Sequence, residues 1–181
     1  MRRVLIALLS LVATTAISSD TREIANLLGV VPGQPSSVRS MSSGAPFEIL
    51  RLPTPSPQLA KIYADLEFMV LKSSGRVVGV GSLRAYPSKA ACEEASTAVR
   101  KLLVPVFPGA YTGRDPRWQF QSADGGTTAG TFCEDAAAYP VLRLDVTHTK
   151  TNEALLTHFK QSPANSTVER DARKNGARPS P

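Results

Sequence analysis

The feature of this sequence that most constrains its fold is a pair of cysteines, Cys92 and Cys133. They are separated by 41 positions, and the chain contains no other cysteine. Cys92 falls in a segment with helical spacing, and Cys133 falls in a segment with strand character. An even number of cysteines in an exported protein is usually oxidised, so we predict a disulfide that joins a helix to a sheet.

The first residues predict export. Arg2 and Arg3 precede an apolar run and then a group of small residues, in the order MRRVLIALLSLVATTAISSD. This layout is typical of a secretory signal peptide, which we assign to residues 1–18. The apolar run is shorter than the roughly 20 residues that span a bilayer. We therefore expect a periplasmic or secreted protein with no membrane-spanning segment after cleavage.

The segment YPSKAACEEASTAVRKL, residues 86–102, predicts the main helix. Ser88 is a suitable N-cap, and Pro105 and Pro108 stop the helix. Apolar side chains recur on one face at helical spacing, which indicates a buried stripe. This stripe consists of Cys92, Ala95, Val99, Leu102 and Leu103.

Around this helix, the apolar pattern switches to the alternation of β-strands. IYADLEFMVLK and RVVGVGSLRAY are joined by SSG, where Gly75 can supply the positive φ of a hairpin turn. RWQFQS and TTAGTFCE form a second predicted hairpin, and VLRLDVTH alternates most regularly of all. We predict an α+β fold in ββαβββ order, with an antiparallel sheet of about five strands and one main helix packed on one face. FEILRL, residues 47–52, is a candidate edge strand, and NEALLTHFKQ is a candidate short final helix.

The packing distance between a helix and a sheet restricts where the disulfide can form. A helix axis about 10 Å above a sheet leaves the nearest helical Cα about 7 to 8 Å from the strand. Disulfides need Cα atoms about 4.4 to 6.8 Å apart. Cys92 must therefore lie where the helix approaches the sheet, and Cys133 near a strand end. The alternative, a reactive or metal-binding thiol, lacks a CxxC or HxxC spacing in this sequence.

The sequence predicts four regions with different character. The signal peptide (1–18) is followed by an arm or linker rich in Pro and Ser with a short helix (19–57). A single α+β domain occupies residues 58–161, and a disordered basic tail occupies residues 162–181. Repeated prolines remove backbone donors from the arm, which favours extended shapes there.

The formal charge of +6 does not indicate a polyanion partner. Arg2 and Arg3 leave with the signal peptide, and the tail adds four cations against two carboxylates, so the domain itself keeps about +2. A folded domain so close to neutral has no basic footprint for nucleic acid. We expect a protein or cell-envelope partner and no nucleic acid.

The titratable residues give one hypothesis for catalysis, which is a hydrolase with its site assembled around His148. Asp145 precedes His148 by three positions, but residues three apart on a strand point to opposite faces. The glycine-rich DGGTTAG lacks the ending of a phosphate-binding loop and is interpreted as a hairpin turn. We find no metal-ligand spacing, and we predict no cofactor.

The segment YTGRDPRWQF combines arginines with aromatic residues, which are enriched in protein interfaces. Tyr111, Arg114 and Arg117 form the candidate contact patch, since Trp118 is expected to point into the core. Our main hypothesis is a non-catalytic binding or structural module that acts on a protein or envelope component, and the hydrolase is the alternative.

Overall fold

A seven-stranded antiparallel sheet in the order β1-β2-β3-β7-β6-β5-β4 forms the centre of the fold. The computed structural model describes residues 19–37, 45–135 and 139–161. The predicted signal peptide and basic tail lie outside the described residues. The helices are α1 (Ser19–Leu28), α2 (Pro57–Ala60), α3 (Lys89–Leu103) and α4 (Thr149–Gln161). The strands are β1 (Phe47–Pro53), β2 (Asp65–Leu71), β3 (Arg76–Ala85), β4 (Gly109–Ala110), β5 (Phe120–Gln121), β6 (Thr127–Asp135) and β7 (Pro140–His148).

The α+β class is confirmed, but the predicted count of about five strands is wrong, because the sheet has seven. β1 supplies one additional strand at the β2 edge, and β4 supplies the other at the opposite edge. β4 contains two residues, which is too short for any alternation to be visible in the sequence. Its pairing depends on Gly109, where an added Cβ would lie only 3.0 Å from the Gln121 carbonyl oxygen.

One face of the sheet forms the main core beneath α3. A row of almost fully buried side chains crosses four neighbouring strands on this face. The row consists of Phe68, Val80, Val146 and Ala129, which pair with one another in that order. α3 packs over β6 and β7 on this face. Its N-cap is Ser88, whose side chain accepts a hydrogen bond from the Ala91 N–H, as the sequence predicts.

The disulfide between Cys92 and Cys133 is present, with its Cα atoms 6.1 Å apart. Cys92 lies in the first turn of α3, and Cys133 lies two residues before the end of β6. Both positions agree with the requirement that the helix be close to the sheet where the bridge forms. The structure thus joins the main helix to the strand layer by a covalent bond.

The described part of the arm is packed into the main core. Ile24, Leu27 and Leu28 of α1 belong to the same buried cluster as Phe68 and Val80. The chain after α1 is also bound to the sheet, since Gly33 donates its N–H to the Val77 carbonyl oxygen at 2.7 Å. α1 itself agrees with the short helix that the sequence predicts, whereas its burial was not visible in the sequence.

The second face of the sheet is only partly covered, and we call it the open face. α4 crosses it over β3, burying Leu155 against Leu71 and Val78. Near the end of α4, the rings of Phe159 and Phe47 meet edge-on at 5.8 Å. The rest of this face, across the middle of β2, β3 and β7, carries the candidate site.

β1 is the long edge strand of the sheet. The Lys72 N–H bonds to the Pro46 carbonyl oxygen and the Thr54 N–H bonds to the Ala64 carbonyl oxygen, which fixes the alternation of hydrogen-bonded pairs between β1 and β2. Even-numbered residues of β1 therefore bond to β2. Phe47, Ile49 and Arg51 direct their N–H and C=O groups away from the sheet.

Within the described ranges, every helix is too short or too polar to pass through a lipid bilayer.

Candidate functional site

The open face contains a trench that runs along β3. Its floor is formed by Gly79 and Gly81, which have no side chains and alternate with inward-facing residues of β3. The neighbouring strands β2 and β7 are two strand spacings apart, about 9.6 Å, and their side chains form the walls. The volume is about 320 Å³, at the lower end of ligand-binding pockets.

Paired residues from β2 and β7 face each other across each glycine of the floor. Met69 and Thr147 flank Gly79, whereas Glu67 and Asp145 flank Gly81. The end of the trench near Gly79 is lined by Leu155 and Asn152 of α4, and the opposite end is lined by Leu83. The trench therefore has an apolar end beside α4 and a carboxylate pair further along β3.

Glycine is required at residue 79 because β7 approaches β3 too closely for a side chain. A Cβ at this position would lie 2.6 Å from the Val146 carbonyl oxygen, which is a backbone atom that cannot move aside easily. The Thr147 Oγ1 would lie 3.1 Å from the same Cβ. The threonine hydroxyl thus leans over the floor of the trench.

Asp145 leans over the trench in the same way. Its Oδ1 would lie 3.3 Å from a Cβ at residue 81. The Oδ2 atom forms an ion pair with Arg143 Nε at 3.4 Å, while Arg143 Nη1 bonds to Glu134 at 3.0 Å. Oδ1 makes no hydrogen bond to any residue that the structure describes. One carboxylate oxygen is therefore available to a ligand.

The environment of Asp145 is unfavourable for its charge. Burial raises the pKa of Asp145, and the positive charges of Arg143 and Arg117 oppose this effect without cancelling it. Glu67 on the opposite wall already forms an ion pair with Arg51, on the side away from the trench. Asp145 is thus the carboxylate of the trench that lacks a full complement of partners.

A second hollow of about 580 Å³ adjoins the trench at Glu67, Ser82 and Leu83. It lies beside the end of β3, where β2 no longer pairs with it. Arg84 lines this hollow and donates hydrogen bonds to the carbonyl oxygens of Lys61 and Ile62, at 2.9 and 2.6 Å. The guanidinium group of Arg84 is therefore already bound by backbone carbonyl oxygens.

The three residues predicted as a contact patch lie in the loop between β4 and β5. Arg114 is exposed, Tyr111 is half-buried, and Arg117 forms an ion pair with Asp115 at 2.5 Å. The backbone of the loop lies against β6, where the Arg117 carbonyl oxygen sits over Gly130, the residue that pairs with Asp145. Trp118 is half-buried instead of lying in the core. The role of this loop in partner binding stays a prediction.

His148 has a structural position at the start of α4. Its Nδ1 accepts a hydrogen bond from the Thr151 N–H at 3.3 Å and lies 2.8 Å from Thr151 Oγ1, so the ring caps the helix. The opposite edge of the ring packs on Gly33, where a Cβ would lie 2.6 Å from His148 Cδ2. His148 lines neither the trench nor the adjoining hollow.

We expect His148 to make the protein less stable as the pH falls. Burial lowers the pKa of His148, while Asp124 raises it in part and Lys150 and Arg76 lower it further. The stabilising contribution of the neutral ring is complete above its unfolded pKa of about 6.5 and decreases as the pH falls towards the folded value. Protonation of Nδ1 would also remove the acceptor for Thr151.

His148→Asn provides the measurement, because asparagine also caps helices but does not titrate. The difference in melting temperature, variant minus wild type, should increase when the pH is lowered from 7.5 to 5. This range is chosen to cross the unfolded pKa of about 6.5. A difference that is the same at both pH values would contradict this role. His148→Ala, which removes the cap, should cost about 1 kcal/mol at neutral pH.

In the three described ranges, no group of three or more His, Cys, Asp or Glu side chains comes close enough to hold a metal ion. Sequence reasoning missed Gly79, Gly81 and Leu83 as site residues, and it considered Asp145 only as a partner for His148. The signal was the pair of glycines two positions apart in VVGVGS, which places both on one face of a strand.

Comparison with protein-family models, with curated proteins and with solved structures finds no significant match for this chain.

Proposed function

We propose that this protein is an exported, non-catalytic binding module that engages a protein partner through the trench on its open face. The observation that carries the proposal is the glycine floor at residues 79 and 81, which leaves a one-strand-wide depression between two walls of side chains. A glycine inside a strand often marks a place where a ligand or another backbone approaches closely. Here β3 contributes no side chain at residues 79 and 81, and its large side chains in the lining, Val78 and Leu83, flank the two glycines.

Exposed apolar side chains on this face support a protein partner. Ile49 is 57% exposed and Leu83 is 60% exposed, and both line the trench. Large apolar residues beside a depression, with charged residues around them, are typical of protein interaction sites. The ion pairs of Glu67 and Arg143 would form part of the polar rim of such an interface.

Affinity capture with matched variants tests this function. Tagged, disulfide-bonded protein would be incubated with envelope and culture fractions of the producing cell as the wild type, Leu83→Lys and Val104→Lys. Val104 is 52% exposed at the end of α3, on the other side of the sheet, so its substitution introduces the same charge away from the trench. We expect Leu83→Lys to reduce partner recovery at least tenfold and Val104→Lys to leave it unchanged. Equal recovery by the wild type and Leu83→Lys would refute the proposal.

The alternative, a hydrolase around His148, has less support. Thr151 is the hydroxyl within reach of the ring, but both groups serve to start α4. Asp145 faces Gly81 in the trench and does not orient the ring. A measured hydrolytic turnover that His148→Ala abolished in folded protein would favour the hydrolase over the binding module.

A further inference from the structure

The trench has a defined charge as well as a defined shape. Its two facing carboxylates, Glu67 and Asp145, lie on either side of Gly81 with no cationic side chain from the floor between them. The charge of Glu67 is balanced by Arg51 on the far side. Arg143 is shared between Asp145 and Glu134, so this group of three retains one negative charge. The trench thus favours a ligand with a single positive charge.

We propose that the trench binds a lysine side chain of the partner protein, with its ammonium group against Asp145 Oδ1 over Gly81. This inference rests on the proposed function, since it names the group that the partner inserts. The aliphatic stem would lie over Gly79, between Met69 and Thr147. The two glycines are about 6.6 Å apart along the strand, which is close to the length of a four-carbon stem that ends in an ammonium group.

The free acceptor at Asp145 favours lysine over arginine. A guanidinium group binds a carboxylate best through two parallel hydrogen bonds, which require both carboxylate oxygens. Oδ2 of Asp145 is already paired with Arg143, and only Oδ1 is open to the trench. A compact ammonium group can donate to this one oxygen and can also donate to the Thr147 hydroxyl oxygen, which leans over the same floor.

Capped tripeptides provide the probe. Acetyl-Gly-Lys-Gly-amide would be compared with the norleucine peptide, which has the same stem without the charge, and with the arginine peptide. Binding would be followed through the backbone amide NMR signals of Gly79 and Gly81 in the full, disulfide-bonded chain. We expect the lysine peptide to bind about tenfold more tightly than the norleucine peptide, as one charge-assisted hydrogen bond implies.

Two variants and one control connect this preference to the trench. Asp145→Asn keeps the shape of the side chain and should remove the preference for lysine over norleucine. Glu67→Gln on the opposite wall is a second variant that should reduce it about threefold, as expected for an exposed charge pair. Asp135→Asn makes the same charge change at the exposed end of β6 and should leave it unchanged.

Several results would overturn the inference. Equal binding of the lysine and norleucine peptides, tighter binding of the arginine peptide, unshifted Gly79 and Gly81 signals, or an undiminished preference in Asp145→Asn would each do so. The outcome is separate from that of the capture experiment. If Leu83→Lys loses the partner but lysine is not preferred, the trench binds a partner through different chemistry. If Leu83→Lys retains the partner, the proposed function itself fails.

Discussion

Loss of the disulfide between Cys92 and Cys133 is expected to lower the free energy of unfolding by about 3 to 4 kcal/mol. The bond closes a loop with a sequence separation of 41, and a cross-link of this span removes much of the freedom of the unfolded chain. It also holds the first turn of α3 against β6, and α3 covers the main core. For a domain of this size, we expect the melting temperature to fall by about 10 °C.

Thermal unfolding with and without reductant measures this effect, with the double variant Cys92→Ala and Cys133→Ala as the control. The wild type should lose stability when reductant is added, whereas the double variant should melt at the same low temperature in both conditions. If the oxidised and reduced wild type melted at the same temperature, the bond would have no role in stability. The result does not depend on the function of the trench.

Leu28→Ala is expected to destabilise the protein by about 3 kcal/mol, although residue 28 lies in the arm that the sequence describes as a linker. Leu28 is 1% exposed and belongs to the main core cluster. Truncation of a buried leucine removes transfer free energy and leaves a cavity, because the surrounding side chains relax only in part. A mobile linker would show no such cost.

Leu156→Ala is the matched control for this prediction. Leu156 is 49% exposed on α4, so the same chemical change should alter the free energy of unfolding by less than about 0.5 kcal/mol. Chemical denaturation of both variants gives the comparison directly. If Leu28→Ala were as mild as Leu156→Ala, α1 would not be packed on the core in solution.

Local patterns in the sequence predicted those parts of the fold that local interactions determine. The N-cap Ser88 and the apolar stripe predicted α3, and the regular alternation of apolar and polar residues predicted β7. Gly75 adopts a φ of +66° in the turn between β2 and β3, as expected for the first hairpin. The burial of α1 was not predictable because its partners, such as Phe68, are far away in the sequence and separated from it by several prolines.

The candidate site depends on the register of neighbouring strands, which no single segment encodes. The sequence shows that Gly79 and Gly81 share one face of β3. It does not show that Glu67 and Asp145 lie on either side of Gly81, because an irregularity between Met69 and Val70 shifts the pairing of β2 with β3. A shift of one residue would exchange the faces and remove the carboxylate pair from the trench.

The two edge strands of the sheet, β1 and β4, differ in how well they can pair with a strand of another molecule. β4 has only two residues and offers few backbone groups to an incoming strand. β1 is longer, and the outward N–H and C=O groups of Phe47, Ile49 and Arg51 are regularly spaced for pairing with another strand. Concentrated samples should therefore form closed dimers, in which β1 of one copy pairs with β1 of another and no second edge is left for further growth. The charge of Arg51 and the missing N–H of Pro53 are two features that oppose such pairing.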